Sequence, residues 1–255
     1  LIEETTLRMP SLDALVEGFE AHASATYSVA WIDCLARGSR LGRGLLMLGE
    51  HAQDGPLEAP GAPGLSVPVD APAVLLQGAS VRAFNALYYA KSWRRAHHRR
   101  VHLGPFFYPL DAIGQWNRLY GSAGFVQYQC VLPRESSAQG LREMLNRIAD
   151  AGQGSFLAVL KRLGPANDHP LSFPLEGHTL ALDFKVHDRL WPLLQTLDRI
   201  VLNHGGRLYL AKDSRMSESL FKATYPRWKE FEAVRDRWHA SGRFGSAQSQ
   251  RLGLS

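Results

Sequence analysis

Between Gly124 and Lys212 the chain alternates two periodicities in the order strand, helix, strand, strand, helix, strand. That order restricts the fold more than any other feature. GFVQYQCVLP has the period of a strand, so Val126, Tyr128 and Cys130 point to one side and Gln127 and Gln129 to the other. SSAQGLREMLNRIADAG has the period of a helix, with Leu141, Met144, Leu145 and Ile148 as its apolar stripe. Ser136 or Ser137 is the expected N-cap, and Gly152 the stop. SFLAVLKRLG and HTLALDFKV read as two further strands. On the second, Leu180, Leu182 and Phe184 share one face while Thr179, Ala181 and Asp183 share the other. A helix over about 188–203 is expected to bury Trp191, Leu194, Leu197 and Ile200 and to end at Gly205-Gly206, before RLYLAKDSR as strand four. The βαββαβ order predicts an α+β fold: an antiparallel sheet with a ferredoxin-like core and helices on one face.

The other face then carries the function. It would hold Gln127, Gln129, Thr179 and Tyr209, with Lys161 and Lys212 nearby. Amides, a hydroxyl, a phenol and ammonium groups can orient a polar ligand, although a sheet face can also simply be solvated. Strict alternation puts Lys212 on the side of Leu208 and Leu210, so it must lie where the strand ends and the chain turns away.

The rest of the composition narrows the class. No apolar run among the 255 residues approaches a membrane span, and LIEETTLRMP lacks the regions of a signal peptide. Cys34 and Cys130 sit in apolar strand patterns and read as reduced core residues, which suits a cytoplasmic protein. There is no CxxC or HExxH. The formal charge is +5, and Lys91–His102 (KSWRRAHHRRVH) accounts for all of it, with five Lys or Arg, three His and no acid. Read as a loop after a helix, this stretch suits a phosphate group or the anionic inner face of a membrane. No helix-turn-helix, zinc-finger or RNP-type pattern accompanies it, which argues against nucleic acid. Its histidines lack the Cys, Asp or Glu partners of a metal site.

Before this unit, Ser11 caps a helix to about His22, and ATYSVAWIDC and RGLLMLGEHA are strands that extend the sheet. Gln53–Pro72 reads as a Pro/Gly-rich loop or lid, SVRAFNALYYAKSW as a helix, and VHLGPFFYPLDAIGQWNRLYG as an extended, turn-rich aromatic segment. The start at Leu1, close to a helix, suggests a piece of a longer protein.

The blocks TYSVAWIDC, SRLGRGLLMLGEHA, FNALYYAKS, FFYPLDAIGQWNRLYG, GFVQYQCVLP, SFLAVLKRLGP, PLSFPLEG, LALDF, NHGGRLYLAKDSR and YPRWKEF occur in one order across nearly the whole chain. Together they resemble the C-terminal half of the decaprenylphosphoryl-β-D-ribose oxidase-like flavoproteins, within the vanillyl-alcohol-oxidase-type FAD oxidoreductases. The resemblance implies a substrate-binding domain over residues 1–210. It also implies a segment over 211–255 that packs on an N-terminal FAD-binding domain absent from this sequence. GSRLGRG lacks the helix that a dinucleotide fold needs, in keeping with that absence.

Residue by residue, the resemblance makes Lys212 the catalytic lysine beside the flavin, where a fixed cation favours the reduced ring, and Tyr209 a flavin contact. Gln127, Gln129 and Lys161 become substrate contacts, and Trp31 and Tyr89 aromatic walls. Thr179 stands where the family has Asn, and Ala181 where it has Cys, which changes the pocket's reach. The implied reaction oxidises a secondary alcohol of a sugar by hydride transfer to flavin N5. A polyprenyl-phosphate-linked pentose would give the basic stretch a purpose at the membrane surface. A soluble aldonolactone or sugar oxidase would not need that stretch. A non-catalytic ferredoxin-like module would need no FAD partner.

Overall fold

The computed structural model describes residues 1–55, 65–72, 78–92 and 96–254. In chain order the strands are β1 (Ile2–Met9), β2 (Tyr27–Ile32), β3 (Gly44–His51), β4 (Leu65–Ser66), β5 (Ala96–Val101), β6 (Ile113–Gly114), β7 (Phe125–Pro133), β8 (Ala158–Leu163), β9 (Gly177–Lys185) and β10 (Arg207–Leu208). The helices are α1 (Leu12–Ala21), α2 (Gly78–Lys91), α3 (Leu103–Phe107), α4 (Arg134–Ala151), α5 (Leu190–Asn203), α6 (Glu218–Thr224), α7 (Trp228–Arg237) and α8 (Ala247–Arg251).

Eight strands form one sheet in the order β10-β7-β9-β8-β2-β3-β1-β5, all neighbours antiparallel; β4 and β6 pair separately. The first four positions are the ferredoxin-like unit, its fourth strand beside its first and its third beside its second. The β2–β3 hairpin joins at β8, as its sequence suggests. Residue alternation sends Tyr128, Cys130, Leu180, Leu182, Leu160, Ala30, Ile32 and Leu46 into a single core with α1, α4 and α5. Met216, Phe221, Tyr225, Leu252 and Leu254 close the same core from the C-terminal end. On the second face α2 lies with Tyr89 against Trp31 and Leu45, and the β7–β9 end is left partly open.

Local signals explain most element ends. Ser11 Oγ accepts from the Ala14 amide, and Gly152 stops α4 in the left-handed region at φ 65°. Replacing Ser11 by Ala should cost about 1 kcal/mol, read as a lowered urea midpoint at unchanged slope.

Several expectations need correction. β1 is a strand where the sequence suggests none: its inward positions in the second face are Glu4 and Thr6, so it lacks an apolar alternation. The basic stretch is no loop; 96–101 is the edge strand β5, paired along β1, and residues 93–95 lie outside the described residues. Cationic side chains on an edge strand discourage further pairing. α4 starts two residues before Ser136, so neither serine caps it. Ser136 Oγ donates to the His204 carbonyl and Ser137 Oγ is bonded to His178 Nδ1. The buried arc of α5 runs through Leu190, Leu193, Leu194, Leu197 and Val201, leaving Trp191 37% exposed. Of the expected lid, residues 56–64 lie outside the described residues. Cys34 and Cys130 are free and buried, and burial pushes both thiols up to about 12.

Candidate functional site

The second face of the β7–β9–β8 region gathers the expected polar set. In antiparallel register Gln127 opposes Asp183, Gln129 opposes Ala181, and Thr179 opposes Lys161. The row continues from Ala181 through Val159 to Trp31 and Leu45. Gln129 Nε2 donates to Thr179 Oγ1 at 3.1 Å. The Thr hydroxyl therefore serves as an amide partner although it is shorter than an Asn side chain.

Lys212 reaches the face because β10 ends after Leu208. The Tyr209 amide donates once more to Gln129 O, and Leu210–Lys212 then form a 3₁₀ turn. The turn rotates Lys212 off the core side, and its Nζ donates to Gln127 Oε1 at 2.7 Å. Residues on the C-terminal side pin the turn. Asp213 Oδ1 accepts from the Arg215 and Met216 amides, and Asp213 Oδ2 accepts from Arg251 at 2.8 Å. Gln248 of α8 donates to Leu210 O at 2.7 Å, and Arg215 makes two 2.7 Å bonds to Asp198 of α5. Strand, turn and two helices thus hold one short segment. A recess of about 20 Å³ beside the turn is lined by Gln127, Gln129, Tyr209 and Lys212 from this face and by Tyr128, Leu194 and Leu208 from the core side.

The aromatic wall runs along this face. Tyr120 stacks on Phe125 (4.5 Å) and Phe156 (5.4 Å), Phe156 meets Phe84, Phe84 stacks on Tyr88, and Tyr88 lies 4.7 Å from Trp31. Trp31 is buried, its Nε1 donating to Phe156 O. Tyr89 is enclosed: its hydroxyl donates to Met9 O, and Arg8 and Arg43 cover its ring. The open aromatic at that place is its neighbour Tyr88. Tyr209 packs on Phe173 at 4.5 Å. Lys161 is exposed and has no partner among the described residues.

Two charged features stand out. Asp183, only 5% exposed, has its carboxyl pushed up to about 6 by burial, with the Gln127 hydrogen bond and the Lys212 charge pulling it back. Alternation alone puts Asp183 on the polar face without giving it a role. At the far end, β5 pairs its charge with acids: Arg99 makes two 2.9 Å bonds to buried Glu4, and Arg100 pairs with Glu3 and Asp54. A cavity of about 320 Å³ lies there among Tyr88, Lys91, His97 and Arg99. Among the described residues no group of three potential ligands could hold a metal, and no helix is long and apolar enough to cross a membrane.

The chain is 38% identical over 244 residues to a protein of Mycolicibacterium smegmatis named decaprenylphosphoryl-β-D-ribose oxidase, covering 92% of this chain and 52% of that protein. It is also 31% identical over 262 residues to an uncharacterised Streptomyces coelicolor protein, covering 97% and 71%. The chain therefore spans about half the length of its Mycolicibacterium relative. The D-arabinono-1,4-lactone oxidase family matches residues 123–252, the stretch that contains the whole ferredoxin-like unit and the pinned Lys212 turn, and the chain belongs to that family.

Proposed function

We propose that this chain is the substrate-binding part of an FAD-dependent oxidoreductase that oxidises a secondary alcohol of a sugar. The observation that carries the reading is the Lys212 turn, which departs from strand geometry to set an ammonium on Gln127, next along β7 from the bonded Gln129–Thr179 pair. This donor set fits a flavin: an amide and a cation can meet the polar edge of a heterocycle, and the Tyr209–Phe173 pair its plane. When bound, FAD supplies the hydride acceptor. Lys212 and Tyr209 would hold the ring, while Gln127, Gln129, Thr179 and Lys161 orient the sugar; such fixed orientation supplies much of a rate enhancement. The nucleotide half of the cofactor would be held by a domain in the length this chain does not share with its Mycolicibacterium relative. Residues 1–210 would then form the substrate domain, and 211–255 the segment facing that domain, with exposed Trp238 and Phe244 on it.

The relative's name suggests a polyprenyl-phosphate sugar as substrate. A phosphate on the anomeric carbon lies a few bonds from any ring hydroxyl. β5 is six inter-strand steps from β7, roughly 29 Å at about 4.8 Å per step, so His97, His98, Arg99 and Arg100 are out of reach of that phosphate. Lys161, two steps from β7 and uncommitted, is within reach. The basic side chains of β5 then belong with a membrane surface or with solvent. Replacing Lys161 by Ala should raise KM for a lipid-phosphate-linked pentose about tenfold, the worth of one exposed charge-assisted hydrogen bond. KM for a neutral sugar lactone should not change. Equal KM changes for both substrates would favour a free-sugar or lactone oxidase, the reading that the family's name offers.

A further inference from the structure

We propose that the cavity at the far end of the sheet is a binding site for a phosphate ester with an apolar substituent, separate from the sugar site and independent of the reading of Lys212. The cavity, about 320 Å³, has the size of a small-molecule site. Its floor is the second face of β1 and β3, where register sets Glu4 opposite Gly49 and Arg99, and Thr6 opposite Met47 and His97. Glu4 is 3% exposed, and both its oxygens are engaged. Oε1 accepts from Arg99 Nε and Thr6 Oγ1, and Oε2 accepts from Arg99 Nη2. The carboxylate therefore fixes the plane of the guanidinium and balances its charge, while Arg99 Nη1 has no hydrogen bond among the described residues. Lys91, at the end of α2, then leaves the cavity one positive charge, and Ser92 and His97 add polar groups beside it. Neither Lys91 nor His97 has a partner among the described residues.

An anion suits this end of the cavity and an apolar chain suits the other. The donors come from two elements, α2 and β5, so a tetrahedral oxyanion can accept from both, and a guanidinium held in one plane meets phosphate oxygens well. Toward Trp31 the lining changes to Leu45, Met47 and Tyr88. The helix α2 carries this apolar character outward. Val81, Asn85 and Tyr89 are its buried side, and Asn85 Nδ2 fixes the rotation by donating to Asp33 Oδ1 at 3.0 Å. That rotation leaves Phe84, Leu87, Tyr88 and Lys91 on one outer stripe, at the i, i+3, i+4, i+7 spacing. Phe84, Leu87 and Tyr88 are 44%, 72% and 36% exposed, and Phe84 stacks on Tyr88. Three large apolar side chains thus face water on a stripe that ends in a lysine, matching the tail and head of an anionic amphiphile. The cations alone would suit any anion; the stripe selects one with a tail. A lipid headgroup and a soluble phosphate ester share this chemistry.

The test is methyl NMR of the full-length protein carrying ¹³C-methyl methionine, with the Met47 signal assigned by Met47→Leu and followed as octyl phosphate is added. The expected result is a saturable shift of the Met47 methyl. Octyl glucoside keeps the chain without the anion, and inorganic phosphate keeps the anion without the chain; each should bind at least about tenfold more weakly. Lys91→Ala should weaken octyl phosphate about tenfold, the worth of one charge-assisted hydrogen bond. Arg100→Ala removes the same charge from the residue after Arg99, on the opposite face with Glu3 and Asp54, and should change binding less than about twofold. Lys91 and Arg100 are both exposed, so neither replacement threatens the fold. Co-sedimentation with phosphatidylglycerol vesicles then separates the two sources. Vesicle binding that Lys91→Ala weakens and Arg100→Ala does not identifies a lipid headgroup. A protein that binds octyl phosphate but not the vesicles has a site for a soluble ester. A Met47 methyl that ignores octyl phosphate overturns the proposal. Equal weakening by Lys91→Ala and Arg100→Ala overturns it as well, since diffuse attraction to the basic strand would then account for the binding.

Discussion

Replacing Lys212 by Ala in the full-length protein should slow flavin reduction by about 10²–10³-fold, the usual loss when one fixed group facing developing charge is removed. The fold should barely notice. Lys212 is exposed and its side chain bonds Gln127, so stability should change by no more than about 0.5 kcal/mol. The same change removes the cation that pulls the Asp183 carboxyl down, so the Asp183 midpoint should move above 6. A variant that reduces its flavin at the normal rate would mean that the ammonium is a surface charge. Stopped-flow absorbance under anaerobic conditions, with the melting temperature as control, separates the two.

The second large effect is expected at Asp198, well away from the polar face. Its carboxylate takes both Arg215 guanidinium bonds and the Tyr128 hydroxyl, mostly out of contact with water. Asp198→Ala leaves a partly buried guanidinium and a buried phenol without partners, a loss of about 3 kcal/mol. For a chain of this size that is roughly 6–12 °C in melting temperature. Arg215 lies three residues after Lys212, on the turn that Asp213, Arg251 and Gln248 also hold. Flavin reduction should therefore fall as well, though less than in Lys212→Ala. A shift under 2 °C would show that the pair does little for the fold.

How much of this arrangement is legible in the sequence depends on what holds each residue in place. β7 and β9 are buried on one face and polar on the other, so period two is plain in Tyr128, Cys130, Leu180 and Leu182 against Gln127, Gln129 and Thr179. Even the misfit at Lys212 is informative, because a lysine out of phase with its strand requires the strand to stop. β1 and β5 stay hidden because they stabilise each other through Glu4–Arg99 and Glu3–Arg100 ion pairs and not through apolar alternation. A run such as AHHRRV has no inward signal of its own. The helix α5 is legible but its rotation is not, since Leu190 and Leu193 compete with Trp191 for the same arc and the smaller side chains fit beneath the sheet. Tyr88 and Tyr89 are adjacent, and contacts distant in the chain, the Arg8 and Arg43 guanidiniums on the Tyr89 ring and its hydroxyl bond to Met9 O, decide which is enclosed.

The most direct measurement is the visible absorption spectrum of the full-length protein, recorded anaerobically before and after a lipid-phosphate-linked pentose is added. A flavin spectrum that bleaches with that substrate, and does so much more slowly in Lys212→Ala, is the predicted result. A protein that takes up no flavin, or one whose flavin is untouched by lipid-linked and free sugars alike, would contradict the assignment of this face to sugar oxidation.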